Sequence, residues 1–381
     1  MPKKRLAIVS THPIQYNAPL FRLLSQRGII DVKVFYTWSQ SKDTVKDKEF
    51  GRDIVWDIPL LEGYKYEYIE NVSQKPKQKF RGLVNPELIP AIQQWKPDAV
   101  LVFGWNFSSH FKVMRHFHGR VPVWFRGDST LLDEVPGVKT FIRRQVLRFV
   151  YSFVDHAFYV GQNNKKYFLA HGLKESQLTF APHAIDNTRF SNENAVNDGK
   201  RWRQELGYSD NDIVLVYAGK IYGVKNMISF TQQFKKYVES SDNSHLKLLV
   251  IGNGAEENSL ATHPSIKRLP FQNQSKMPAV YNIGDILVLP SISETWGLVV
   301  NEAFAAGKPV IVSNKVGCAI DLVKDGENGF YFSLTDETAN PKIFSRIETS
   351  NLDIISKNNR NKISKWSHEA IAKALEKQLN D

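Results

Sequence analysis

A single cysteine, Cys318, occurs in 381 residues, which excludes an internal disulfide and a cysteine-rich zinc site. The ten histidines show no His-x3-His or similar ligand spacing, so nothing supports a zinc centre. No window approaches the ~18 apolar residues of a membrane span. The apolar run behind Met1-Pro2-Lys3-Lys4-Arg5, Leu6 to Val9, is far too short for a signal peptide. Walker A and Gly-x-Ser-x-Gly patterns are missing, as are solenoid-period repeats and low-complexity tracts. With 42% hydrophobic and 23% charged residues, the composition excludes disorder and fits a soluble globular protein of ordinary two-domain size. A reducing cytoplasm is the compartment these absences suggest.

Charge of one sign is scarce in one half only. The first 180 residues hold 27 basic and 16 acidic groups, and the remaining 201 hold 23 of each. The whole net charge of +11 therefore lies in the N-terminal half, which should face something anionic. Two places concentrate it. Residues 74–81 (QKPKQKFR) read as a mobile basic loop. Residues 138–153 mix Lys139, Arg143, Arg144 and Arg148 with Phe141, Ile142, Leu147, Phe149 and Phe153, a basic, aromatic-rich helix of the kind that lies on membranes or simply covers a core.

Short β-branched and aromatic runs alternate with segments of helical period, the mark of βα units on a parallel sheet. The strands expected are 5–10, 32–36, 66–69, 99–104, 121–126 and 157–160, then 213–218, 247–252, 266–269, 286–289, 309–313 and 330–332. A polar stretch, 191–212, separates the halves and holds a short helix at 200–206. The expected architecture is α/β: two Rossmann-like, doubly wound parallel-sheet domains facing across a cleft. The first spans 1–187 and the second 188–365, with a helix over 366–381 crossing back onto the first. Ligands of such sheets bind beyond the carboxyl ends of the strands.

The second half carries the densest chemistry. Strand 286–289 breaks at Pro290 and leads through Ser293-Glu294-Thr295-Trp296-Gly297 into a helix containing Glu302. A strand, polar loop and helix start present free backbone N–H groups to an anion. The eight residues from Glu294 to Glu302 correspond to roughly 12 Å of helix, a span that suits a ligand with a central phosphate and hydroxyl-bearing ends. A sugar nucleotide is such a ligand. Strand 213–218 ends in Gly219-Lys220-Ile221-Tyr222-Gly223-Val224-Lys225-Asn226, whose lysines could neutralise a diphosphate without a metal. Strand 247–252 runs into Gly252-Asn253-Gly254, where glycines permit close approach to a ligand. Glu302, expected partly buried, could accept both hydroxyls of a ribose. Asp210-Asn211-Asp212 spells a metal-binding Asp-x-Asp, but it lies at the start of a strand and is read as a turn. No metal is expected.

Glu-x7-Glu followed by Ala303-Phe304-Ala305-Ala306-Gly307-Lys308-Pro309-Val310-Ile311, Val316-Gly317 and Asp325-Gly326-Glu327-Asn328-Gly329-Phe330 resembles the retaining GT-B glycosyltransferases of family 4. The lysine turn, the Gly252/Gly254 turn and Pro182-His183-Ala184-Ile185-Asp186 resemble the same family's segments in the same order. Thr11-His12-Pro13-Ile14-Gln15-Tyr16-Asn17-Ala18-Pro19-Leu20-Phe21 resembles one subgroup's first loop and helix.

The resemblance implies a GT-B fold and transfer of a sugar, with retention, from a nucleotide-diphosphate sugar (a UDP-sugar foremost). The acceptor would be a hydroxyl of a saccharide or lipid-linked molecule in cell-envelope or polysaccharide synthesis. It implies Glu294 near the donor sugar, Glu302 on the ribose, and Lys220 and Lys225 on the diphosphate, helped by amides of Gly297 and Leu298. Gly219, Gly252, Gly254, Thr295 and Trp296 would line the donor, with Pro270 and Phe271 beside the base. Lys220 stands where the family often has Arg, losing the planar fork. Gln15, Tyr16 and Asn17 replace a common glycine pair. Arg126 and Asp128 occupy the segment that often carries a histidine facing the donor sugar. The partners expected are the nucleotide-sugar donor, that acceptor and peripheral contact with an anionic membrane surface, with no nucleic acid and no cofactor. The rival readings are a sugar-nucleotide epimerase on the same fold and a non-catalytic basic binding or partner subunit.

Overall fold

The computed structural model describes residues 2–41, 45–47, 52–54, 56–77, 79–241, 244–336 and 339–381. Gln78, within the basic loop read above, lies outside them. The chain divides into two compact units. The first comprises Met1–Val45, Ile58–His183 and His368–Asp381, and the second Lys46–Asp57 and Ala184–Ser367. The main boundary between units thus falls at His183–Ala184, a few residues before the expected position, while Lys46–Asp57 is grouped with the second unit.

In chain order the strands are β1 (Arg5–Ser10), β2 (Asp31–Tyr36), β3 (Val45–Asp47), β4 (Arg52–Ile54), β5 (Lys65–Tyr68), β6 (Ala99–Phe103), β7 (Val123–Arg126), β8 (His156–Tyr159), β9 (Leu178–Phe180), β10 (Ile213–Ala218), β11 (Leu246–Ile251), β12 (Ile266–Leu269), β13 (Ile286–Leu289), β14 (Val310–Ser313) and β15 (Gly329–Phe332). The helices are α1 (Ala18–Arg27), α2 (Leu88–Trp95), α3 (Ser108–Phe117), α4 (Val138–Tyr151), α5 (Gln162–Ala170), α6 (Asn187–Ser191), α7 (Glu193–Glu205), α8 (Met227–Glu239), α9 (Met277–Ile283), α10 (Leu298–Ala305), α11 (Ala319–Leu322), α12 (Ala339–Thr349), α13 (Leu352–Ser356), α14 (Asn359–Ile363) and α15 (His368–Asn380).

The first unit is built on a seven-stranded sheet of order β5-β2-β1-β6-β7-β8-β9, and the second on a six-stranded sheet of order β12-β11-β10-β13-β14-β15. Every pairing within both sheets is parallel. Helices cover both faces, so the strands are apolar on both sides: Leu6, Ala7, Ile8 and Val9 are all buried, as are Val214 to Ala218. In each sheet the chain first walks outward in one direction and then returns to the other side of its starting strand. The reversal falls between β1 and β6 in the first unit and between β10 and β13 in the second. Loops leaving the strands at such a reversal diverge and open a crevice at the carboxyl edge.

Several elements differ from the sequence reading, among them the short strands β3 and β4, which it did not expect. The helix expected at 200–206 begins at Glu193, capped by the Asn192 side chain, which accepts from the Ala195 amide at 2.8 Å. Its added turns are polar and lack an apolar stripe. They pack through Gly199, where a Cβ would lie 2.4 Å from that of Asn282 in α9. The three-residue edge strand β9 was not expected. It pairs with β8 (Phe158 opposite Thr179) and sets up the crossing to the second unit. The last helix, α15, packs in the first unit, where Arg27 of α1 forms a two-pronged bond to Glu376 at 2.8 Å.

Candidate functional site

The crevice of the second unit gathers the lysine turn and the glutamate loop. Lys225 follows β10 and Glu294 follows β13, the two strands that flank the reversal. Their side chains form an ion pair, both half-buried. The backbone ties the two loops together, with the Ile292 amide donating to Val224 O at 2.8 Å.

On its other flank the glutamate loop runs alongside 315–318 as a short extension of the sheet. Glu294 N donates to Lys315 O at 3.2 Å, Gly317 N to Glu294 O at 2.9 Å, and Cys318 N to Trp296 O at 2.9 Å. This contact explains Gly317, where a Cβ would sit 1.8 Å from Thr295 O. Gly297 adopts a left-handed φ of 94° and starts α10. The first α10 amide to find a carbonyl is that of Val300, bonded to Gly297 O at 2.9 Å. No acid lies in the first turn, so the amides of Gly297 and Leu298 and the positive end of the helix dipole can serve an anion.

Several expected donor contacts are used internally. Glu302 is 2% exposed and accepts the Tyr281 hydroxyl at 2.5 Å, so its carboxylate is fully buried and locked by α9. Trp296 is 3% exposed, its indole N–H bonded to Asn301 Oδ1 at 3.0 Å. It anchors the loop, because an indole at the foot of a buried helix finds its partner one turn along. At Gly252 and Gly254 the close approach is made by the chain itself, since a Cβ would meet Gly219 O at 1.9 Å and Ile221 O at 2.1 Å respectively. These glycines let the turns after β10 and β11 nest together. Phe271 follows β12, its amide held by Asn253 Oδ1 at 2.9 Å. Pro270 is exposed, Gly219 and Lys220 half-buried, and Thr295 exposed. All of these lie at one carboxyl edge.

In the first unit, Gln15, Tyr16 and Asn17 form the turn between β1 and α1, with Asn17 N donating to Ile14 O at 2.9 Å. Tyr16 O accepts from His368 Nε2 at 3.0 Å, which fixes the turn to the start of α15. Arg126, at the end of β7, is buried and committed. Its guanidinium donates to Ala181 O at 2.7 Å and Pro182 O at 2.8 Å. Burial pushes it down to about 10, against the pull of nearby Asp128. Arg126 therefore positions the segment after β9 instead of presenting its charge to a ligand. Asp128 is half-buried and stands 3.8 Å from His183 Nε2.

The sequence reading did not select His183 or Tyr281 as site residues. His183 meets Asp128 only because β7 and β9 lie two strands apart in the sheet. Tyr281 sits in an otherwise apolar helix and reads as core. The Asp-x-Asp lies at the amino end of β10, where Asp212 accepts the Ser209 amide at 2.7 Å. Among the described residues no group of three or more His, Cys, Asp or Glu side chains is placed to hold a metal ion. Nor is any helix among them long and apolar enough to cross a membrane.

Two parallel-sheet units, each with its crevice at a strand-order reversal, are a two-domain Rossmann-like GT-B fold. The chain is similar over 99% of its length to the crystal structure of Anabaena HepE in complex with UDP, with a TM-score of 0.71, 17% identity and 99% of that chain covered. Residues 198–366 match the family described as glycosyl transferases group 1.

Among curated relatives it is 29% identical over 194 residues to UDP-Gal:alpha-D-GlcNAc-diphosphoundecaprenol alpha-1,3-galactosyltransferase of Escherichia coli, covering 49% of each. It is 25% identical over 211 residues to alpha-monoglucosyldiacylglycerol synthase of Acholeplasma laidlawii, covering 53% of this chain and 52% of that protein. The chain spans about half the length of the curated relatives it matches.

Proposed function

We propose that this protein transfers a sugar from a nucleotide-diphosphate sugar, a UDP-sugar foremost, to a hydroxyl of a saccharide or lipid-linked acceptor, retaining the anomeric configuration and using no metal. The observation that carries this reading is the Lys225–Glu294 pair at the strand-order reversal, next to the start of α10. An acid and a cation held together in the crevice neutralise each other at little cost. A diphosphate entering there takes over Lys225 and frees Glu294 for hydroxyls of the donor sugar.

The bond from the anomeric carbon to the phosphate oxygen breaks, and its electron pair stays on the phosphate. Lys225, Lys220 and the amides of Gly297 and Leu298 stabilise the charge that develops there. The acceptor oxygen bonds to the anomeric carbon on the same face, and its proton passes to the departing phosphate oxygen. Glu302, locked by Tyr281, orients the ribose.

The curated relatives named above act on a diphosphoundecaprenol-linked sugar and make a glucosyldiacylglycerol, by their names. Together with the basic first unit they favour an acceptor presented at the anionic inner face of a membrane, met by a peripheral enzyme. Lys225→Ala should lower turnover at least about a hundredfold, the scale of losing one preorganised charge on a leaving group, and should weaken binding of UDP measured by calorimetry. Normal turnover by that variant would remove the diphosphate clamp from the mechanism.

A further inference from the structure

The first two and a half turns of α4 contribute nothing to the core. Its buried residues are Leu147, Val150 and Tyr151, all in the second half. Before them Val138, Phe141, Ile142 and Val146 stand 76%, 63%, 56% and 49% exposed, and Phe149 follows at 58%. At 100° per residue these five fall within an arc of about 140°. Lys139 and Arg143 flank one side of that arc, and Arg144 and Arg148 the other. An exposed apolar stripe of this size is not left open in an ordinary soluble protein.

The stripe does not end with the helix. The Phe149 ring lies 6.3 Å from that of Phe111 in α3, which lies 6.4 Å from Phe80 at the end of the basic loop. Phe80 is itself exposed, and the Arg115 guanidinium sits 6.0 Å over the Phe111 ring. The described residues of the loop at 74–81, together with α3 and α4, thus form one continuous surface. Those three segments hold ten Lys and Arg residues and no Asp or Glu. The neighbouring Glu134 is already paired with Arg144. Lys75, Lys77, Lys79, Arg81, Lys112, Lys139, Arg143 and Arg148 are all exposed.

The geometry points to this face as the seat of an anionic phospholipid bilayer, with Val138, Phe141 and Ile142 entering the acyl boundary and the cations of loop and helices resting on lipid phosphates. This deepens the membrane-facing reading of the acceptor and rests on it. An apolar stripe bordered by charge of one sign matches a surface whose charge is uniform and whose interior is apolar. A protein partner would leave some acid on the rim, and these three segments carry none.

Flotation of the full chain with phosphatidylglycerol–phosphatidylcholine vesicles, and with phosphatidylcholine alone, tests it. The wild type should float with the anionic vesicles only, and high salt should release it. The triple variant V138S/F141S/I142S touches no buried residue and should lose at least about tenfold in partitioning. K75Q/K77Q/K79Q should lose about fivefold per cation removed, and only at low salt. Sugar transfer to a soluble acceptor should be unchanged in both. A wild type that ignores anionic vesicles overturns the proposal. So does a wild-type dimer in light scattering that V138S/F141S/I142S converts to monomer, which would assign the stripe to a second copy. Vesicle binding without any sugar transfer would instead remove the functional reading and leave the surface standing.

Discussion

Tyr281 in α9 donates its hydroxyl to the buried carboxylate of Glu302 in α10 across 2.5 Å. The bond fixes the rotamer of an acid that would otherwise be free to repack. Removing the hydroxyl leaves the charge in place and its direction unfixed. Tyr281→Phe is therefore expected to raise KM for the donor about tenfold while kcat changes by less than about threefold, the pattern of an interaction made equally in ground and transition states. Steady-state kinetics against donor concentration checks it. An unchanged KM would detach Glu302 from donor binding.

Gly317 faces the carbonyl of Thr295 so closely that a Cβ would sit 1.8 Å from the oxygen and 3.1 Å from Glu294 O. Alanine there must push the glutamate loop off its seat against 315–318. Overpacking of this kind costs about 1–3 kcal/mol, and a displaced Glu294 costs far more in rate than in stability. Gly317→Ala should keep most of its unfolding free energy in urea and lose at least about a hundredfold in turnover. Gly137, where a Cβ would have nothing within 4 Å and the backbone is extended, serves as the control position. Equal activity of the two variants would show that the loop position is immaterial.

How far the chain was legible follows from what each feature depends on. The strands were readable because buried parallel strands are near-continuous apolar runs: β1, β10, β12 and β13 fall within the expected bounds residue for residue. The short strand β9 carries one apolar face over three residues, too little to register. The first turns of α7 hide because their packing uses Gly199 and a backbone approach instead of an apolar stripe. Lys225 and Glu294 were selected on charge and loop position, and the fold brings them together. What the sequence could not disclose is where a polar group spends its hydrogen bonds. Trp296, Arg126, Gly252 and Gly254 have the residue types of ligand contacts, yet each is taken up within the chain, Trp296 by Asn301 one turn on and the others by segments distant in sequence.

Arg126 spans the carbonyls of Ala181 and Pro182 with two parallel N–H bonds from a buried guanidinium. Arg126→Met strands both carbonyls away from water, and charged hydrogen bonds of this kind are worth about 1.5–3 kcal/mol each. A loss of about 3 kcal/mol in urea unfolding is expected. Arg126→Lys should recover only part of it, because one ammonium cannot fork to both acceptors. A fully stable Arg126→Lys enzyme with abolished turnover would mean the guanidinium acts on substrate instead.

His110 is wholly buried between Gly104 and Thr37. Its Nδ1 N–H donates to Gly104 O at 2.9 Å, which makes Nε2 the acceptor of the Thr37 hydroxyl at 3.0 Å. Burial pushes the ring down from 6.5 to about 4. Below pH 6.5 the unfolded chain therefore binds a proton that the folded chain refuses until pH has fallen to about 4. The native state holds its full stability above the upper value and surrenders about 3 kcal/mol as pH falls through the window. His110→Gln retains a donor and an acceptor but cannot titrate. Urea unfolding followed between about pH 7 and about pH 4.5 should show a steep loss in the wild type and a flatter one in the variant. Parallel slopes would mean that the ring is already protonated in the folded protein, and that the Thr37 hydroxyl turns to Ser10 O, 3.3 Å away, instead.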